Sequence, residues 1–155
     1  MEYGKADLFK RIIASLIDGV IASVLIYVPV LGGIVSTIYM LIKDTIAYEV
    51  TKNPDFKNRS VGKKIMGLEV ISLDGQDIDW TISLKRNLPI AIGSVLSIVP
   101  IIGWILGGII GFIISIIEVI LVLTDGRGRR LGDKWANTQV VESANMINRE
   151  EIIDI

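Results

Sequence analysis

The sequence predicts an all-α integral membrane protein: four transmembrane helices arranged as two hairpins, with a small cytoplasmic β-hairpin cap. Three observations carry this expectation. Two long apolar runs, Ile12 to Ile42 and Leu88 to Leu123, are each interrupted by a single charge, Asp18 in the first and Glu118 in the second. About 20 predominantly apolar residues span a bilayer, so each run is long enough for two helices joined by a proline-glycine turn. The chain has 155 residues, 51% of them hydrophobic, which leaves little sequence for a separate soluble unit, and one domain over residues 1–155 is expected. A soluble fold can bury one helix that is apolar all round, but four in so short a chain would leave almost nothing to cover them.

The first hairpin is expected over residues 8–50, with helix one from about Phe9 to Val28 and helix two from Gly33 to about Val50. Lys5, Asp7, Lys10 and Arg11 precede the first run, but no small-residue cleavage site follows it within signal-peptide length, so the first helix is expected to be retained. Residues 51–80 form a cytoplasmic connection. There KKIMGLEVISLDGQDIDWTI is rich in β-branched residues around Asp74-Gly75, which predicts a local β-hairpin with its turn at that pair. The second hairpin, residues 81–123, places helix three from about Thr81 to Val99 and helix four from Gly103 to Leu123. Pro89 would kink helix three or mark its entry into the membrane. Residues 124–155 form a turn-rich basic tail with a strand-like TQVV, and NMINREEIIDI at its end reads as a brief amphipathic helix or a frayed terminus.

The net charge of -1 hides an asymmetry. Of the 16 Lys and Arg residues, fifteen lie in the amino-terminal segment, the Lys52 to Arg86 connection or the tail after Leu123, and Lys43 alone lies within an expected span. The turns VPVLGG, Val28 to Gly33, and VPIIG, Val99 to Gly103, carry no charge. The positive-inside rule then places both termini and the connection in the cytoplasm of a cell (plasma or inner) membrane, with the two turns outside. The two turn motifs begin 71 residues apart, and Arg11 and Arg86 each stand on the cytoplasmic side of a hairpin, which suggests a parallel repeat.

Gly103, Gly107, Gly111 and Ser115 recur every fourth residue on helix four, as do Ser15, Gly19 and Ser23 on helix one. Such stripes let helix backbones approach closely, either within the chain or between copies in a homo-oligomer.

No cysteine or histidine is present, which excludes disulfides, thiolate chemistry and imidazole relays, and no serine has a convincing lysine partner. The chain is therefore not expected to be an enzyme, and no cofactor or metal site is expected. DGRGRR at Asp125 to Arg130 lacks the strand, spacing and lysine of a nucleotide loop. Lys52, Lys57, Arg59, Lys63 and Lys64 read as topology and anionic-lipid contacts rather than a nucleic-acid surface. Protonation or cation chemistry falls to the intramembrane carboxylates. At about 1.5 Å per residue, Asp18, Lys43 and Asp44 lie near one depth, roughly 18 to 20 Å below the first outer turn, with Glu118 about one turn deeper. A lone charge there is costly, so the expected pair is Asp18 with Lys43, and Arg11 is expected to snorkel or to meet a carboxylate such as Asp133. Ser15, Ser36, Thr37, Tyr39 and Thr45 could add oxygen ligands for a hard cation.

RIIASLID at Arg11 to Asp18, SVGKKIMGLEVISLDG at Ser60 to Gly75 and LGDKWANTQVV at Leu131 to Val141 together resemble the RDD family of small membrane proteins, over nearly the whole chain. That family is named for one arginine and two aspartates. The resemblance matches Arg11 to the arginine, Asp18 to the first aspartate and Asp133 to the second. The family often has histidine before that second aspartate, where this chain has Gly132. The resemblance implies transport, and for some members cation/proton antiport. Two functions follow as expectations. In the first, Asp18, helped by Asp44 and Glu118, binds Na+, K+ or H+, with Lys43, Arg11 and Asp133 as charge partners. In the second, a non-transporting module uses its cytoplasmic cap to bind a partner protein or anionic lipid.

Overall fold

The computed structural model describes residues 3–29, 31–96, 99 and 101–144, and the fold is mostly helical. In chain order the elements are α1 (Leu8–Leu25), α2 (Gly32–Thr51), a short 3-10 turn (Pro54–Phe56), α3 (Val61–Ile65), β1 (Leu68–Ser72), α4 (Trp80–Leu96), α5 (Ile102–Thr124), α6 (Leu131–Trp135) and β2 (Thr138–Glu142). The expected terminal helix in NMINREEIIDI lies outside the described residues, as do Val30 and Pro100 of the two turn motifs.

Local chemistry sets the helix ends. Asp7 starts α1 by accepting a hydrogen bond from the Lys10 amide at 2.9 Å, and Asp79 starts α4 by accepting from the Ile82 amide at 2.7 Å. α2 closes on Lys52 in the left-handed region, φ 52°. A break inside α2 at Ile42, φ −114°, falls beside the Leu41 carbonyl, which accepts from Ser83 Oγ and Asn87 Nδ2 of α4, both at 3.3 Å. Side-chain donors inserted at a helix ladder are one recognised cause of a break. Pro89, by contrast, lies inside the continuous α4 and is fully buried there.

The long helices pack as a row, α1 on α2, α2 on α4 and α4 on α5. The α4–α5 contact depends on glycine: a Cβ at Gly93 would press on the Gly107 carbonyl oxygen and the Gly111 Cα. Gly103 similarly sits under the Leu96 carbonyl. The helix-four stripe is thus an intrachain packing seam. The helix-one stripe is not: nothing lies within 4 Å of where a Cβ at Gly19 would be, and Ser15 is exposed. Among the described residues one helix, Ile105–Thr124 within α5, is long and apolar enough to cross a membrane, with a mean hydropathy of 2.7 and only 17% of it buried. α1 and α2 are interrupted by charges, and α4 is 17 residues long.

The expected local hairpin around Asp74-Gly75 does not form. A turn is present there, with Gly75 at φ 73°, but β1 pairs antiparallel with β2, seventy residues further along the chain, in the register Leu68↔Glu142, Val70↔Val140 and Ser72↔Thr138. The segment that would have been the second hairpin strand is used otherwise: Asp77 pairs with Lys57 at 3.0 Å and Asp79 caps α4. β2 instead supplies Val140 and Val141, both buried, with Val140 opposite the buried Val70. Leu68, Val140, Ala6 and Ala14 form the core beneath this small sheet, with Met66 against it.

The order α1–α2–α3–β1 repeats as α4–α5–α6–β2. The sheet register is symmetric about Val70 and Val140, as a two-fold axis through that pair requires. Each short helix ends in a positive-φ residue, Gly67 at 65° and Asn137 at 49°. Each also rests on the first helix of its own half through a glycine. A Cβ at Gly62 would land on the Ala14 carbonyl of α1, and one at Gly132 on the Arg86 carbonyl of α4.

Candidate functional site

The close approach of α3 and α6 to the helix row brings the buried charges together. Asp18, on α1, is buried; its Oδ1 accepts from the Gly62 amide at 2.9 Å and from the Tyr39 hydroxyl at 3.4 Å, and Lys43 Nζ stands 3.3 Å from its Oδ2. Asp44, the neighbour of Lys43, turns to the other side. It meets Lys63 Nζ at 2.5 Å, Asn87 Nδ2 at 3.0 Å and Arg86 Nε at 3.5 Å. Successive helical residues point about 100° apart, so one turn of α2 serves two carboxylate centres.

Arg86 links Asp44 to a third centre. Its Nη2 donates to Asp133 Oδ1 at 2.8 Å, while Arg11 Nη2 reaches Asp133 Oδ2 at 3.1 Å and Arg130 Nε reaches it at 3.4 Å. Arg11 also donates from Nη1 to the Gly128 carbonyl. Asp133 caps its own helix as well, accepting from the Arg130 amide at 3.1 Å. Burial by itself would raise the Asp133 pKa, but Arg130, Arg86 and Arg11 outweigh it and hold the carboxyl well below the usual carboxylate range. Arg130 is pushed up: burial opposes its charge, and Asp133 and Glu118 more than compensate. Lys63 goes the other way. Burial lowers it to about 8, against the attraction of Asp44 and with repulsion from Lys43 and Arg86.

Glu118 completes the set from α5. It is buried, its Oε2 accepts no hydrogen bond among the described residues, and the Arg130 Nε is 3.9 Å away. Asp18 Oδ2 likewise accepts no hydrogen bond, its contact with Lys43 being an ion pair. Both residues line an open cavity of about 1230 Å³, to which α1, α2, α4 and α5 contribute together with Lys63, Leu68 and Val140 of the cap. Asp44 and Asp133 do not line it. No group of three or more carboxylate, histidine or cysteine side chains able to hold a metal ion occurs among the described residues.

The structure therefore separates the residues the sequence singled out. Asp18 sits beside Lys43, and Arg11 beside Asp133. Asp44 and Asp133 lie in ion pairs away from the cavity, while Asp18, paired with Lys43, and Glu118, beside Arg130, are among the residues that line it. Of the candidate oxygen ligands, Ser15, Ser36 and Thr37 line the cavity. Ser36 donates to the Ala22 carbonyl at 2.7 Å and Thr37 to the Gly33 carbonyl at 2.8 Å. Lys63, read as a lipid-facing charge, is buried on Asp44. Sequence reasoning missed the roles of Arg86, Asn87 and Arg130. The available signal was Ser83, Arg86 and Asn87 at i, i+3 and i+4, three polar residues on one face of a helix that continues as the apolar stretch from Leu88.

No curated protein and no solved structure matches the chain. The sequence model of the RDD family matches residues 5–137, which include Arg11, Asp18 and Asp133 and the whole helix row, and the chain belongs to the RDD family.

Proposed function

We propose that this chain is a small multi-pass transporter of the cell (plasma or inner) membrane that moves a monovalent cation, Na+, K+ or H+, through an intramembrane carboxylate centre. In this reading α1, α2, α4 and α5 all cross the bilayer, and the cap and both termini face the cytoplasm. The carrying observation is the pair of buried carboxylates, Asp18 and Glu118, that line one cavity with an oxygen each left without a hydrogen bond. A cation arriving there would compete with Lys43, 3.3 Å from Asp18, and with Arg130, 3.9 Å from Glu118, for the two carboxylates. Antiport follows where a proton and a metal cation compete for the same oxygens. Asp44, Asp133, Arg11 and Arg86 serve as the fixed frame. A four-helix chain is small for alternating access, which favours a homo-oligomer.

The scaffold reading has one observation in its favour. The Lys63, Asp44, Arg86 and Asp133 chain of ion pairs ties the cap to two of the long helices, α2 and α4, which is what a rigid partner-binding module requires.

The test is flux of Na+, K+ and H+ in liposomes containing purified protein, with Asp18→Asn and Glu118→Gln compared at equal insertion. Flux that both substitutions abolish supports transport. Flux indistinguishable from empty liposomes on all three gradients transfers the assignment to the scaffold.

A further inference from the structure

The cap relates the two halves of the chain by a two-fold axis, and the helix row does not obey it. Under that axis α1 exchanges with α4 and α2 with α5, since α3 rests on α1 and α6 on α4, and β1 pairs symmetrically with β2. The packing of α1 on α2 recurs as α4 on α5. The packing of α2 on α4 should then recur as α5 on α1. It does not: α1 and α5 end the row at opposite sides without forming such a seam. Ser15 of α1 and Ser115 of α5 are both exposed, and both line the open cavity.

The symmetry also identifies the residues that the missing seam would join. A Cβ at Gly62 meets the Ala14 carbonyl and one at Gly132 the Arg86 carbonyl, so Ala14 and Arg86 are counterparts, and Ser15 corresponds to Asn87. A Cβ at Gly32 or at Gly103 would press on a carbonyl of the segment before it, Ile26 or Leu96, which makes these glycines counterparts too. Asp44 lies twelve residues beyond Gly32, and Ser115 twelve beyond Gly103. The hydrogen bond from Asn87 Nδ2 to Asp44 at 3.0 Å therefore has Ser15 against Ser115 as its image. On the formed side Arg86 adds its charge to Asp44 at 3.5 Å. The image of Arg86 is Ala14, so closure joins two hydroxyls where the formed seam joins an arginine, an amide and a carboxylate. Such a contact closes and reopens readily. Gly108, two turns from Ser115 on the same face of α5, has nothing within 4 Å of a Cβ and puts no side chain in the way of the approach.

The entry to α5 carries the hinge. Its N-cap, Ile101, has φ 66° and ψ −75°, a γ-turn geometry that is rare and strained, the more so for a β-branched residue. Leu31, the N-cap of α2, sits at φ −112°. The two halves thus part company where α5 begins. We infer that α5 is a gate that turns about Ile101 to close on α1, bringing Ser115 against Ser15 and covering the cavity. The gate follows from packing alone, so it stands whether the chain transports or serves as a scaffold.

The chain has no cysteine, so Ser15→Cys combined with Ser115→Cys supplies the only two thiols. The full-length variant is reconstituted in liposomes and oxidised with copper phenanthroline, and mass spectrometry counts the remaining thiols in monomer and dimer. A disulfide needs Cα atoms within about 7 Å, and the expected product is an intrachain disulfide between the two positions. Val20→Cys with Ser115→Cys is the control: Val20 is exposed on α1 and outside the cavity lining, and this pair should not form one. Ile101→Gly, placed in the first pair, removes the strain of the open arrangement and should slow the crosslink about fivefold or more. Reaction of both thiols with maleimide while no intrachain disulfide forms overturns the inference. So does a crosslink rate that the control pair matches, or one that Ile101→Gly leaves unchanged. A disulfide found only between chains overturns it as well, assigning the cover of the cavity to a second copy.

Discussion

Asp133→Asn removes one charge and almost no volume, which makes it the sharpest test of the buried network. The carboxylate is fully buried and accepts from three arginines, Arg86 at 2.8 Å, Arg11 at 3.1 Å and Arg130 at 3.4 Å. An amide offers a single acceptor oxygen and turns an NH2 group toward one of these donors. Breaking a buried ion pair from one side typically costs about 3–5 kcal/mol. The lower part of that range applies here, because each arginine keeps another partner: Asp44 at 3.5 Å from Arg86 and Glu118 at 3.9 Å from Arg130 as ion pairs, and the Gly128 carbonyl as acceptor for Arg11. The expected loss is about 3 kcal/mol, a large share of the roughly 5–15 kcal/mol that holds a typical domain. Denaturant unfolding in detergent, followed by tryptophan fluorescence, reads it, since Trp135 ends α6 two residues after the substitution. Arg11→Gln in the Asp133→Asn background should then cost less than it does alone, by about 1–3 kcal/mol of coupling. Unfolding of Asp133→Asn within about 0.5 kcal/mol of wild type would refute the argument, placing Asp133 among surface charges that contribute little.

Two further outcomes are expected. Gly62→Ala and Gly132→Ala should each lower stability by about 1–3 kcal/mol, because the added methyl meets a backbone carbonyl on α1 or α4; Gly19→Ala, with open space before it, should not, and matched thermal unfolding of the three separates packing from helix propensity. Lys63, whose ordinary pKa of 10.5 is lowered to about 8 in the folded protein, makes stability depend on pH. Below pH 8 it is charged in both states and burial of the charge opposes folding in full. Between about 8 and 10.5 the unfolded chain holds the proton that the folded protein has lost, so stability rises with pH, by up to about 3 kcal/mol. Comparing Lys63→Gln with wild type across pH 7 to 10.5 checks the sign, and an identical slope in both proteins would count against it.

Sequence patterning made the helices legible because apolar length and proline-glycine turns are local signals, and α1, α2, α4 and α5 fall within a few residues of their expected ends. The strand pairing was not legible. Val70 and Ile71 announce a strand, but nothing in β1 says that its partner lies beyond α5, and the turn at Asp74-Gly75 pointed to the nearer choice. The candidate site was half readable for the same reason. Asp18 and Lys43 lie at one depth on neighbouring helices, a one-dimensional estimate that needs no tertiary information. The pairing of Asp44 with Lys63 depends on α3 folding back under the helix row through Gly62, and a basic loop gives no sign of that.

The pairing of β1 with β2 also orders events during synthesis. When β1 leaves the ribosome its partner strand has yet to be made, and at roughly 5–20 residues per second the wait for seventy more residues is on the order of 4 to 14 seconds. Through that interval β1 presents an unpaired edge with Leu68 and Val70 uncovered, the kind of template that recruits other strands. α4 and α5 are made before β2, so closure of the sheet reports that the second hairpin has already been produced. A nascent chain that stalls before Thr138 would carry an exposed strand and an unfinished arginine cluster, a form that holdase chaperones and proteases could recognise as incomplete.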